Sequence, residues 1–135
     1  MRITGGAYRG RKLKVPHTGN VRPTQDRVRE ALFSILAGGF PGWRVLDLFA
    51  GSGAVGFDAL SRGAAQVVWV EQERRSCQTI AANLALLEAG SGQVVCADVW
   101  NWVKHYRGAV PFDLVFADPP YGNTAETDFA TLMAM

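Results

Sequence analysis

The chain has 135 residues, of which 48% are apolar, and carries two cysteines and a net charge of +2. That is enough apolar sequence for one folded core and too few cysteines for a disulfide scaffold. No apolar run approaches the roughly 18 residues of a membrane-spanning helix and the basic start does not read as a leader, so a cytoplasmic, reduced protein without a membrane partner is expected.

Charge is distributed unevenly. Residues 1–30 hold eight Lys and Arg against Asp26 and Glu30, whereas the remainder holds six against ten. One end is suited to meet a polyanion. Met1 to Asn20 reads as short β-like pieces broken by glycines. In Lys12-Leu13-Lys14-Val15 the alternation places both lysines on one strand face and both apolar residues on the other. Arg9, Arg11, Lys12, Lys14 and Arg22 crowd into fourteen residues with Tyr8 nearby, and they are candidates for phosphate contact; a merely solvated basic arm is the alternative. Arg22-Pro23-Thr24 opens a helix with Thr24 as N-cap, Val28, Ala31, Leu32, Ile35 and Leu36 at helical spacing, and Arg27 and Arg29 on its polar face. Gly38-Gly39 ends it. Residues 1–40 are accordingly expected to form a basic extension suited to a polyanion, which the resemblance given below makes RNA-binding, and residues 41–135 the main domain.

The first sheet strand is Arg44 to Phe49, followed by Ala50-Gly51-Ser52-Gly53-Ala54-Val55-Gly56 running into a helix that stops at Gly63. Glycines there let the backbone turn tightly and approach a ligand, and the helix start offers N–H groups. Literally this is GxGxxG, which also occurs in dinucleotide-binding proteins. Asp47 speaks against a nicotinamide dinucleotide: a carboxylate there faces a pyrophosphate unfavourably but suits a cationic amino-acid moiety. A second strand, Gln66–Glu71, ends in an acid able to accept two hydrogen bonds from a ribose diol, a requirement common to both cofactors. The next helix buries Cys77, Ile80, Ala81, Leu84 and Leu87 and leaves Arg74 and Arg75 on a solvated face. Gln93–Ala97 is the third strand, with Cys96 expected to be buried. Val99, Trp102, Val103 and Tyr106 form an apolar stripe read as core. Neither His17 nor His105 stands in a cluster of metal-ligating residues, and no metal is expected.

Phe112-Asp113-Leu114-Val115-Phe116 reads as a buried strand closed by Ala117-Asp118-Pro119-Pro120-Tyr121. The prolines fix φ near −65° and present carbonyls without competing N–H groups. An exocyclic amine of a nucleobase is a poor nucleophile because its lone pair is delocalised into the ring. The Asp118 side chain and the Pro119 carbonyl are placed to grip its hydrogens and localise that pair, and Tyr121 to stack on the base, a contact worth roughly 1–3 kcal/mol.

Asp118-Pro119-Pro120-Tyr121 resembles the (D/N)PP(Y/F) motif of S-adenosylmethionine-dependent amino-methyltransferases, and Asp47 to Gly53 resembles motif I of their Rossmann-like fold. Together with Gly5-Gly6, Arg9-Gly10-Arg11-Lys12-Leu13, Arg22 to Glu30 and Ala59 to Ala64, these stretches resemble the RsmD family. That resemblance implies an α/β Rossmann-like fold and methylation of the N2 amine of guanine 966 in bacterial 16S ribosomal RNA, free or in the small subunit. It further implies S-adenosylmethionine held by Asp47, Gly51 and Gly53 at its methionine end, by Glu71 at its ribose and by Asp98 at its adenine, with Phe49 and Ser52 also among the cofactor-binding residues. For Asp98, helix capping is the alternative. RNA contact falls to Arg9, Arg11, Lys12, Lys14, Arg22 and Arg27. Family members carry further strands after this motif, for which the chain has no room. Four strands in the order 3-2-1-4 are therefore expected, with the fourth an exposed apolar edge open to a second chain. Rival readings are a catalytically incomplete RNA-binding fragment, a DNA amino-methyltransferase and a nicotinamide-dinucleotide-binding fragment.

Overall fold

Four short stretches dense in valine and leucine build the core. The computed structural model describes residues 1–15, 31, 33–34, 41–108, 111–117 and 119. Within these, β1 (Arg44–Leu48), β2 (Gln66–Glu71), β3 (Gly92–Cys96) and β4 (Leu114–Ala117) pair in parallel in the order β3-β2-β1-β4. This is the order expected from the sequence. Parallel neighbours need crossover connections, and α1 (Ala54–Ser61), α2 (Arg74–Leu86) and α3 (Val99–His105) supply them. The two central strands are covered on both faces. Val45, Leu46 and Leu48 of β1 and Val67, Val68, Trp69 and Val70 of β2 are all buried, so burial runs along both strands where a half-exposed sheet would alternate.

Two clusters divide the core by sheet face. On one side Val45, Val67 and Trp69 pack with Phe57 of α1 and Ile80 of α2; on the other Leu46, Leu48, Val68 and Val70 pack with Val99 and Val103 of α3. The outer strands are more open. Val115 of β4 is 40% exposed, and among the described residues β4 ends the sheet order.

Two side-chain placements differ from expectation. Cys96 is exposed, not buried, because it ends a strand lying at the sheet's edge. On α2, Cys77 and Ile80 are buried as expected, but Ala81 is exposed and Asn83 is fully buried. The reason is a partner 69 residues away in sequence: Asn83 Oδ1 accepts from Lys14 N at 2.8 Å and Asn83 Nδ2 donates to Lys14 O at 2.9 Å. A buried amide with both ends satisfied is tolerated where an unpaired one is not.

That contact belongs to a small N-terminal hairpin. Ile3 N donates to Arg11 O (3.1 Å), Gly10 N to Ile3 O (2.9 Å) and Leu13 N to Met1 O (3.0 Å). Its inward side chains, Ile3 and Leu13, join the cluster containing Phe57 and Trp69, while Lys12 and Lys14 are exposed as the alternation requires. The hairpin is also fastened through polar groups. Asp58 Oδ1 accepts from Thr4 N (2.6 Å) and Thr4 Oγ1 (2.8 Å), and Ser61 O accepts from Ala7 N (2.7 Å). Ala31, Phe33 and Ser34 are helical, and the Arg62 guanidinium lies 4.7 Å over the Phe33 ring. The remainder of the helix expected after Arg22-Pro23-Thr24 lies outside the described residues.

Candidate donor site at the carboxyl edge of the sheet

Ligands of open parallel sheets bind beyond the carboxyl ends of the strands, beside the point where strand order reverses. Here that point lies between β1 and its neighbours. After Leu48 the chain passes through three left-handed residues, Phe49 (φ 56°), Gly51 (φ 58°) and Gly53 (φ 79°), before entering α1. A non-glycine residue in this region carries strain of about 1–3 kcal/mol, and such strain concentrates at functional loops. The loop is pinned by Ala50 N donating to Val70 O (3.2 Å) and by Gly53 N donating to Ala50 O (2.8 Å).

The three glycines of the motif do different work. A Cβ on Gly51 would meet no atom within 4 Å, so the loop is open there. A Cβ on Gly53 would come within 2.9 Å of Ile80 Cγ1, and one on Gly56 would overlap the Trp69 indole. Trp69 Nε1 donates to Gly53 O at 3.0 Å, so the indole fills the space below the loop and ties it down. The packing role of Gly56 and Trp69 was missed in the sequence. A bulky aromatic at the centre of the second strand, facing the third glycine, was the signal for it.

Two carboxylates bracket the opening. Asp47, 4% exposed, accepts from Gly56 N through Oδ2 at 3.1 Å. Burial pushes its carboxyl up to about 8; the Gly56 hydrogen bond pulls the other way, and the nearby Glu71 charge adds to the rise. Glu71, at the end of β2, accepts from Gly51 N through Oε1 (2.9 Å) and from Glu73 N through Oε2 (2.7 Å). Glu71 thus braces the glycine loop as well as facing the edge. Ser52 Oγ accepts from Ala54 N at a long 3.4 Å.

Asp98 caps α3, with Oδ1 accepting from Asn101 N at 3.0 Å. Of its two expected roles, capping is the one the structure displays. Trp100, two residues on, meets Phe49 edge-on with ring centroids 5.1 Å apart, an aromatic contact not anticipated from sequence. On the other side of β1, the register Leu48↔Ala117 brings the end of β4 beside Phe49, so that half-buried Pro119 follows at the same edge. Asp118, Pro120 and Tyr121, expected to act on the substrate, lie outside the described residues, as do Arg22 and Arg27 among the basic candidates. Arg9, Arg11, Lys12 and Lys14 are exposed on or beside the hairpin. No helix among the described residues is long and apolar enough to cross a membrane.

The family described as "Conserved hypothetical protein 95" matches residues 1–134. Ribosomal RNA small subunit methyltransferase D of Escherichia coli K12 is 46% identical over 121 residues, covering 90% of this chain and 60% of its own length. The enzyme of the same name from Haemophilus influenzae is 39% identical over 135 residues, with 98% of this chain and 70% of the relative covered. The chain belongs to the RsmD family.

Solved structures agree on the fold. The Escherichia coli protein described as "Putative methyltransferase yhhF" superposes with a TM-score of 0.86 at 43% identity, covering 98% of this RsmD-family chain and 72% of that one. A more distant neighbour, described as "SMU.776, a putative methyltransferase complexed with SAH", gives 0.62 at 27% identity over 74% of this chain and 26% of that chain. The α/β sheet is thus part of the Rossmann-like methyltransferase fold, as expected from the sequence. The chain spans 60% of the length of the Escherichia coli relative.

Proposed function

We propose that the chain uses S-adenosylmethionine to methylate the exocyclic N2 amine of a guanine in bacterial 16S ribosomal RNA, guanine 966 by family resemblance. The observation that carries this reading is the Asp47–glycine loop–Glu71 arrangement. A buried carboxyl pushed up to about 8 lies beneath a loop that is open at Gly51, and a second carboxylate is held by that loop's own backbone. A site built this way favours a ligand with a cationic amino-acid end and a ribose. A dinucleotide, with its pyrophosphate over the loop, would meet the Asp47 carboxyl unfavourably. The names of the relatives, which specify methylation of small-subunit ribosomal RNA, and the SAH-bound neighbour point the same way.

On this reading Asp47 receives the donor's ammonium, Gly51 and Gly53 let its methionine end lie against the backbone, and Glu71 keeps lone pairs for the ribose hydroxyls. Phe49 bounds the pocket with Trp100, and the free Asp98 oxygen faces the adenine amine. When bound, the donor supplies an electrophilic sulfonium methyl. Asp118 and the Pro119 carbonyl orient the guanine amine, Pro120 stiffens that loop and Tyr121 stacks on the extruded base. No strong general base is needed, because the amine can lose its proton after the methyl has moved. Positioning supplies the rate. Residues 1–40 meet the RNA and residues 41–135 hold donor and base, in the cytoplasm where small subunits are assembled.

Titration with S-adenosylhomocysteine and with NAD tests the donor assignment. Binding of the first and not the second is expected, and Glu71→Gln should weaken it. Preference for NAD would overturn the reading. In the transfer step, Asp118→Ala and Tyr121→Ala should abolish methyl incorporation while donor affinity holds; unchanged incorporation would remove the substrate roles assigned to them.

A further inference from the structure

The basic residues of the N-terminal arm do not form one undifferentiated surface. The hairpin pairs Arg2 directly opposite Lys12 in an antiparallel bridge, so both cations emerge on the same face. Like charges directly opposite each other on a ladder repel, and the apolar packing of Ile3 and Leu13 lies on the other face. Arg9 joins them from the turn. Together with Met1, Ile3, Thr4 and Gly10, the three cations Arg2, Arg9 and Lys12 line a concavity of about 450 Å³. Gly10, with φ 82° and no atom near its missing side chain, leaves the mouth clear. Arg11 belongs elsewhere: its guanidinium reaches back to Leu86 O at 3.5 Å.

The hairpin is anchored to the later parts of α1 and α2, through Asp58, Ser61 and Asn83. Helices that connect parallel strands run back from the carboxyl edge, so these anchors lie towards the end of the sheet away from the donor loop. Strands of five or six residues at about 3.3 Å per residue separate the two ends by roughly 15–20 Å. A single nucleotide cannot span that distance. A structured RNA can.

We infer that the Arg2–Arg9–Lys12 concavity is a phosphate-binding site for the RNA backbone, gripping the substrate several nucleotides away from the base that is modified. This rests on the RNA-substrate reading above. Arg2 was not among the residues expected to touch RNA. The face opposite Lys12 becomes evident only once the hairpin register is known.

The test is the salt dependence of binding to a 16S ribosomal RNA transcript. Each lost phosphate contact lowers the slope of log K against log salt by about 0.7–0.9, so Arg2→Ala/Lys12→Ala should lower it by about 1.5. The affinity gap to the parent should then narrow about eightfold between 50 and 200 mM salt. Arg75→Ala, on the exposed start of α2, should leave the slope unchanged. Lys12→Glu should weaken RNA binding while holding or raising the thermal midpoint, since it places an acid opposite Arg2; a misfolded hairpin would lower both. Inorganic phosphate should displace the transcript no better than chloride at equal ionic strength. An unchanged slope in the double variant would overturn the inference, as would an equal fall in the Arg75 variant. Specific displacement by inorganic phosphate would replace it with a small-anion site. S-adenosylhomocysteine titration of the same variants is unaffected on this account, and its failure in the parent would count against the donor assignment alone.

Discussion

Replacing Asp47 by asparagine should shift stability and donor affinity in opposite directions. In the folded chain the carboxyl is raised from 3.8 to about 8, chiefly by burial. Between those values the folded state retains a proton that the unfolded chain releases. The stabilisation is therefore fully present below the unfolded value and is lost as pH rises towards 8. Each pH unit inside the window costs about 1.4 kcal/mol, so from pH 5 to pH 7 the parent should lose roughly 3 kcal/mol through this group. The asparagine side chain in Asp47→Asn is nearly isosteric, its oxygen can still accept from Gly56 N, and it does not titrate. Urea unfolding of parent and variant at pH 5 and pH 7 measures the difference directly, because every other titrating group cancels. Between pH 5 and pH 7 the variant should gain about 2–3 kcal/mol on the parent. It should also bind S-adenosylhomocysteine more weakly, having lost the charge opposite the ammonium. Stability curves that stay parallel across this range would refute the raised carboxyl at Asp47.

Three further expectations follow from the same geometry. If binding needs Asp47 ionised, donor affinity should rise from pH 6 to pH 8 by up to about tenfold per unit, with close to one proton released at pH 7; calorimetry in buffers of different ionisation enthalpy reads this number. Gly56→Ala should cost about 1–3 kcal/mol in chemical denaturation, because the new methyl overlaps the Trp69 indole, and should impair donor binding by displacing Gly53. A variant of parental stability would show that Trp69 does not hold the loop. Asn83→Ala removes both bonds to the Lys14 backbone and should cost about 1–3 kcal/mol, with hydrogen exchange at the Lys14 amide accelerated and that of Val68 little changed.

Much of the sheet was legible because buried parallel strands are runs of valine and leucine that alternate with helices. Gln66–Glu71 was read to the residue, and β1 closes at Leu48, one residue earlier than read. Strand order followed from family resemblance. What was hidden depended on distant partners or on backbone sign. Asn83 on α2 looks like a surface residue until Lys14 is brought to it, and Ala81 looks like core until α2 is oriented. Cys96 sits in an apolar run whose position at the sheet edge no local pattern reveals. The glycine motif announced a turn, but not that Phe49 shares the left-handed conformation, nor that Gly51 alone of the three faces open space. Glu71 was read as a ribose acceptor, yet its second duty, bracing Gly51, needs the loop in place.

The most direct test of the central claim is transfer of labelled methyl from S-adenosylmethionine to small ribosomal subunits lacking the modification, followed by identification of the modified nucleoside. The account predicts N2-methylguanosine in 16S ribosomal RNA, lost in Asp118→Ala. Label recovered in another nucleoside, or none recovered while a full-length relative is active in the same assay, would contradict it.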